Sequence, residues 1–255
     1  MTSRSKFKRP PTLNHLLSGL LLNSAKPVAF VLTGHNGSGK STLWYLRMAD
    51  QLEMPLINAD RLTLSILPPT PLPDWAVRLR DKDDRWQKVS QGGVNVFRQL
   101  VMDQGMSFAY ETVFSYWQAK VGGGFASKTD DIERMQKAGY VVIVLFVGLS
   151  NVELSLLRVK TRHSLGGHDV PKQKLIERFP RTQAAIGYAS TIADMTLMFD
   201  NSRNQQKAFA MVRAQTPKEV LFDARDPHFE VPEDLRDLSS IWLNKVTGPY
   251  QATAP

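Results

Sequence analysis

Short apolar runs alternate with stretches of helical periodicity through the middle of this chain. Runs at 28–33, 56–58, 107–110, 140–147 and 196–199 read as strands. The stretch 141–147 is apolar without alternation, the pattern of a strand covered on both sides. Helical patterns fill the gaps, which predicts an α/β fold: a parallel sheet of about five strands with helices on both faces. One helix is expected from Ser41 to about Gln51. A longer one over 84–103 is marked by Trp86, Val89, Phe97, Leu100 and Val101. Gly92 and Gly93 within it each cost about 1 kcal/mol against alanine and signal close packing or a break. Trp44, Met48, Met54 and Trp86 fall at helical positions that suit the core.

The breaks in this pattern divide the chain. Leu13, Leu16, Leu17, Leu20 and Leu21 recur at helical spacing, so residues 1–26 read as a basic tail and an amphipathic helix. Residues 27–216 form the main domain. Residues 217–255 are rich in Pro, Asp and Arg and read as an extension wrapping that domain, with one helix at 232–245 and disorder from 247 onward. The proline-rich stretch 67–73 cannot continue a helix, and the glycines of 121–125 make a flexible link. Pro180 is expected to kink or restart the helix that Pro171 opens.

At 255 residues the chain can bury a full core, and with no cysteine it has neither disulfides nor thiolate chemistry. Its five histidines show no paired metal spacing. The net charge of +8 is concentrated in the first nine residues, where Arg4, Lys6, Lys8 and Arg9 lie, so it argues weakly for nucleic acid as a partner. The longest apolar run is far below a membrane span. A cytoplasmic setting is expected.

Residues 34–42 read GHNGSGKST, a match to G-x-x-x-x-G-K-[ST] placed directly after a buried strand and opening a helix. Backbone N–H groups freed by Gly34, Gly37 and Gly39, with His35, Asn36 and Ser38 between them, face a polyphosphate, and the helix N-terminus adds positive potential. Lys40 reaches the outer phosphates, Ser41 offers a hydroxyl to Mg²⁺, and Thr42 caps or packs. The chain is therefore expected to bind a nucleoside triphosphate, ATP, with Mg²⁺. A guanine-reading Asn-Lys-x-Asp element is missing from the sequence.

Ligands in such sheets gather beyond the carboxyl ends of the strands, where Asp60 and Glu111 fall. A carboxylate there can take a proton from an attacking hydroxyl or steady Mg²⁺. Asp60 also suits a helix N-cap, and Glu111 a structural ion pair. Arg158 and Arg162 share one helix face, the paired glycines of 164–171 make a mobile loop, and Arg178 and Arg181 follow. That is the pattern of a helical lid neutralising charge on a transferring phosphoryl group, or of solvated surface arginines.

Read in order, GHNGSGKST, INADRL (57–62), FAYETVFS (108–115), LLRVKTR (156–162), GGHDVP (166–171), ERFPRT (177–182) and FDNS (199–202) resemble the zeta-toxin family. These are ATP-dependent kinases of toxin–antitoxin systems that act on UDP-activated amino sugars. The resemblance spans about residues 28–202. It implies a P-loop kinase fold, Asp60 as general base toward a sugar hydroxyl, and Lys40 and Ser41 on phosphate and Mg²⁺. It also implies Arg158 and Arg162 as a clamp on ATP, and Glu111 and Thr112 on the sugar, with Asn58, Ser115 and His168 in the same acceptor site. The implied substrate is a UDP-sugar similar to UDP-N-acetylglucosamine, and the implied partner is an antitoxin protein. The stretch after Glu111 lacks the arginine found there in members that act on UDP-N-acetylglucosamine, and the lid segment resembles the chromosomal branch. A small-molecule kinase acting on a nucleoside, dinucleotide or antibiotic, or a polynucleotide kinase, would use the same loop and base.

Overall fold

The computed structural model describes residues 7–21, 25–119, 125–164 and 170–247. Helix α1 (Leu13–Leu21) turns Leu16 and Leu17 into the core. Strand β1 (Val28–Gly34) is buried along its whole length and runs into the glycine loop, from which α2 (Lys40–Arg47) departs. The expected single helix is divided. Met48 leaves helical geometry at φ −134°, ψ −38°, with its side chain in the core, and α3 (Ala49–Leu52) follows.

Strand β2 (Leu56–Ile57) leads to α4 (Ala59–Ser65), α5 (Asp74–Lys82) and α6 (Asp84–Asp103). The expected bounds of α6 hold, but its face does not. Val89, Phe97 and Leu100 are exposed, and the inward stripe is Ser90, Val94, Arg98 and Met102 at i+4 spacing. The reason is a buried ion pair: Arg98 donates to both carboxylate oxygens of Asp131 at 3.0 and 3.1 Å and lies over the Tyr110 ring. The glycines do not break the helix. A Cβ on Gly93 would sit 3.0 Å from Leu62 Cδ2, so α6 packs closely on α4.

Strand β3 (Phe108–Glu111) is followed by a hairpin of β4 (Trp117–Ala119) and β5 (Phe125–Ser127), which brackets the expected glycine link; residues 120–124 lie outside the described residues. Then come α7 (Thr129–Lys137), β6 (Val141–Gly148), α8 (Val152–Ser164), α9 (Lys172–Ala189) and β7 (Met195–Asp200). Pro180 does not restart α9, which runs unbroken past it. Proline removes one N–H donor, and buried Leu175, Phe179, Thr182, Gln183 and Ile186 hold the helix to the domain on both sides of it. The last elements are β8 (Ala210–Gln215), β9 (Val220–Asp223) and α10 (Glu233–Thr247); Thr247, where disorder was expected to begin, is the last residue of α10, and the rest of that tail, 248–255, lies outside the described residues.

The five strands read from the sequence are β2, β3, β1, β6 and β7, adjacent in that order and all parallel. Two antiparallel strands, β8 and β9, extend the sheet to seven. They escaped the hydrophobic reading because both are short and mix polar with apolar residues. Among the described residues no helix is long and apolar enough to cross a membrane.

The segment beyond Pro217 packs tightly against the domain. A Cβ on Gly187 of α9 would meet the Val246 carbonyl oxygen of α10 at 2.5 Å. Gly187→Ala must push the two helices apart, and a loss of about 1–3 kcal/mol is expected in urea denaturation. An unchanged midpoint would show that α10 does not rest on α9 in solution.

Candidate active site

The loop after β1 owes its shape to three left-handed glycines: Gly34 at φ 147°, Gly37 at 71° and Gly39 at 90°. Gly34 is also forced by space, since a Cβ there would lie 2.3 Å from the Val147 carbonyl oxygen of β6. The loop is held from outside as well. Ser155 Oγ of α8 donates to the Asn36 carbonyl at 2.7 Å, and Asn201 Nδ2, just past β7, donates to the Ser38 carbonyl at 2.8 Å.

Lys40, Ser41, Asn58 and Glu111 converge where β1, β2 and β3 end. Glu111 Oε2 accepts from Ser41 Oγ at 2.5 Å and from Asn58 Nδ2 at 2.8 Å, and Oε1 lies 3.6 Å from Lys40 Nζ. Lys40 Nζ also donates to the His35 carbonyl at 3.2 Å. Ser41 and Glu111 thus place two hard oxygens together beside the phosphate loop. That donor set fits Mg²⁺, which takes one or two protein oxygens and fills the rest of its shell with phosphate and water. Ser41 and Glu111 would hold it.

Asp60 stands exposed in the first turn of α4. It is not the cap of that helix: Asn58 is, its Oδ1 accepting from the Arg61 N–H at 3.1 Å. An arginine that sequence reasoning missed lies within electrostatic reach of Asp60. Arg80 of α5 is gripped by Asp81 through two hydrogen bonds of 2.7 and 2.8 Å. Those bonds raise the guanidinium above its ordinary value against the opposing effect of burial, and the charges of Asp81 and Asp60 add to the rise. Nothing in the local sequence marked it, since Arg80 sits in an ordinary run of charged residues.

Arg158 lies on α8 against the loop, with its Cβ 3.1 Å from where a Cβ of Gly37 would be. Arg162 is one turn further on and exposed. Arg178 of α9 is half-buried. Burial lowers the pKa of both Arg158 and Arg178, and the neighbouring charge of Arg181 lowers Arg178 further, while Asp200 opposes the fall at Arg158. Thr112 is fixed by its N–H to the Leu32 carbonyl at 2.9 Å, and Ser115 lies beyond it at the mouth of the strand. His168 falls outside the described residues, as does most of the glycine loop of the lid. Thr42 is exposed on α2.

A cavity of about 600 Å³ opens beside Asn58 and Arg61, walled by Leu56, Ile57, Leu62 and Phe97. The sequence did not signal it.

The family model described as Zeta toxin matches residues 14–207, well over half of the chain. The chain belongs to the zeta-toxin family of P-loop kinases. An uncharacterized protein of Haemophilus influenzae is 28% identical over 154 residues, 59% of this chain and 91% of the relative. Among solved structures, one chain of the AvrRxo1-ORF1:-ORF2 complex with ATP aligns over 94% of this chain and 69% of its own, with a TM-score of 0.59 and 14% identity. A chain of the PezAT chromosomal toxin–antitoxin system of Streptococcus pneumoniae aligns over 91% of both chains, with a TM-score of 0.53 and 14% identity. At these identities the likeness is one of fold.

His35 gives the family loop of this chain a property open to test. Its ring is stacked on Phe179 of α9 at 3.7 Å between centroids, and neither ring nitrogen has a hydrogen-bond partner. Burial, helped by the charge of Lys40, lowers its pKa from 6.5 to about 3. Between these values the unfolded chain takes up a proton that the folded chain refuses, so stability is full above pH 6.5 and falls as pH drops toward 3. From pH 7 to pH 5 the native protein should lose about 2 kcal/mol that a His35→Gln variant keeps. Urea midpoints of the two proteins at both pH values measure it; equal losses would place a charged imidazole in the fold.

Proposed function

We propose that this protein transfers the γ-phosphoryl group of ATP to a hydroxyl of a UDP-activated amino sugar similar to UDP-N-acetylglucosamine. The observation that carries the reading is the convergence of Lys40, Ser41, Asn58 and Glu111 at one end of the sheet, between a phosphate-binding loop and Asp60. Family membership supports the kinase chemistry.

In this reading Asp60 accepts the proton of the attacking hydroxyl as the oxygen–phosphorus bond forms and the bond to the ADP leaving oxygen breaks. Arg80, pinned by Asp81, orients charge beside Asp60. Lys40, Arg158 and Arg162 neutralise the phosphates, joined by Arg178 from α9, and Asn58 fixes Glu111. Positioning and charge neutralisation supply most of the rate in such a loose transfer. Ser41 and Glu111 would hold Mg²⁺, which would supply charge neutralisation to the transfer. Thr112, Ser115 and His168 belong to the acceptor side, together with Asn58 and Glu111, whose carboxylate Mg²⁺ would share. The reading extends to an antitoxin protein as partner, supported by the toxin–antitoxin system to which the similar PezAT chain belongs, and to a cytoplasmic setting.

One observation favours a second acceptor class. The cavity beside Asn58 is walled mainly by apolar side chains, which suits an alcohol with a less polar body than a nucleotide sugar.

The test is mass spectrometry after incubation with Mg-ATP and a panel of UDP-sugars, nucleosides and dinucleotides. A UDP-amino sugar should gain one phosphoryl group. Asp60→Asn should retain ATP binding and lose about 10²–10⁴-fold in turnover. Lys40→Ala should lose turnover altogether. Unchanged UDP-sugars beside another phosphorylated alcohol would overturn the substrate, and full activity in Asp60→Asn would overturn the base.

A further inference from the structure

We infer that Trp242, in the C-terminal helix α10, is a positioning residue for nucleotide binding: through Asp200 and Asn201 it fixes the phosphate loop from behind. The inference rests on the kinase reading above, but its anchor, Trp242 of α10, lies outside the stretch matched by the family model.

The chain of contacts is continuous. Trp242 is fully buried, its ring edge-on to Phe146 of β6 and packed where a Cβ on Gly148 would lie only 2.6 Å away. Its indole Nε1–H donates to Asp200 Oδ2 at 2.9 Å. Asp200 is fully buried at the end of β7, so its carboxylate depends on the few donors that reach it. Those are Trp242, the Ser202 hydroxyl at 2.9 Å and the Ser202 N–H at 2.9 Å. With Asp200 fixed, the next residue has one orientation: the Asn201 N–H donates to the Gly148 carbonyl at 3.1 Å and its side-chain amide donates to the Ser38 carbonyl in the middle of the phosphate loop.

The same helix secures the segment that follows. Asp234 accepts from Lys207 at 2.8 Å and from Arg203 at 3.3 Å, tying the loop between β7 and β8 to α10. That loop ends at Phe209, a buried aromatic in the left-handed region at φ 55°. Its ring edge fills the space beside Gly39, 3.1 Å from where a Cβ would be. A bulky residue in a disfavoured conformation persists only where its surroundings hold it there, and here it abuts the glycine that opens α2. The phosphate loop thus has a Ser155 contact in front and an α10-dependent contact behind.

The experiment is titration calorimetry with Mg-ATP on the full chain, at a temperature where each variant is folded by circular dichroism. Trp242→Phe keeps an aromatic ring and removes only the donor; about tenfold weaker Mg-ATP binding is expected, the scale of one hydrogen bond to a charged group. Asn201→Ala should weaken binding to a similar degree. Because both act along one path, the double variant should bind about as well as Asn201→Ala alone. A merely structural role for Trp242 would lower the melting temperature and leave the affinity of the folded protein unchanged. Wild-type affinity in folded Trp242→Phe, or additive losses in the double variant, would overturn the inference. If Trp242→Phe does not fold, Asp200→Asn carries the test, since it keeps the side-chain size and removes the charged acceptor of the indole N–H; about tenfold weaker binding is expected, and unchanged binding would overturn the inference. Failure of the wild-type protein to bind Mg-ATP would instead sink the kinase reading itself.

Discussion

A buried ammonium sets the terms for this molecule. Lys40 is 6% exposed in the first turn of α2, just past the phosphate loop, and a charge taken out of water must be paired or neutralised. Glu111 answers it at 3.6 Å, which requires β3 to lie beside β1 in the register that sets Leu32 against Glu111. Once that pairing is fixed, Ser41 and Asn58 fall within hydrogen-bonding reach of the same carboxylate. The end of β2 is then placed as well, and with it Asp60. The geometry of the proposed chemistry is a consequence of compensating one cation.

The charge balance of the site points the same way. Glu111 is already engaged by three groups, and His35 is held neutral by burial. Arg158 and Arg178 are half-buried in an environment that works against their charge, and among the described residues neither makes an ion pair. A polyanion entering the cleft relieves that desolvation, so attraction for a polyanion is built into the arrangement. Arginine suits the task because it does not surrender its proton under such pressure, as a lysine would.

Much of this was legible in the sequence, and the reasons are physical. The phosphate loop could be read because few residue types tolerate positive φ at Gly34, Gly37 and Gly39, and the parallel strands because burial on both faces removes alternation. Asp60 and Glu111 were singled out by their place after strands, and the structure brings Glu111 to Lys40, Ser41 and Asn58. What stayed hidden depends on side chains meeting across long sequence separations. The contacts of Trp242 with Asp200, and of Asn201 with Ser38, join residues 42 and 163 positions apart. Helix α6 was read with the wrong face because Arg98, polar by type, is buried by its pairing with Asp131. No count of apolar residues detects a polar residue whose partner lies 33 positions away.

The two edges of the sheet are built differently, and the difference bears on how the site divides its work. On the β7 side the sheet continues into antiparallel β8 and β9 and is backed by α10, so the elements that touch the phosphate loop are reinforced. On the other side the sheet ends in β2, two residues long, beside exposed Leu62, Leu64, Phe97 and Leu100. A short edge strand limits edge-to-edge pairing, yet the apolar side chains around it leave a cavity next to Asn58. With the second, less polar acceptor class, the nucleotide is held by the reinforced half and the acceptor by the lightly built one. Residues lining the cavity can then change without disturbing Lys40, Ser41 or Glu111, because only Asn58 belongs to both. In that reading acceptor choice is separable from phosphoryl transfer, and Asn58, which caps α4 and holds Glu111, would be the point where the two are joined.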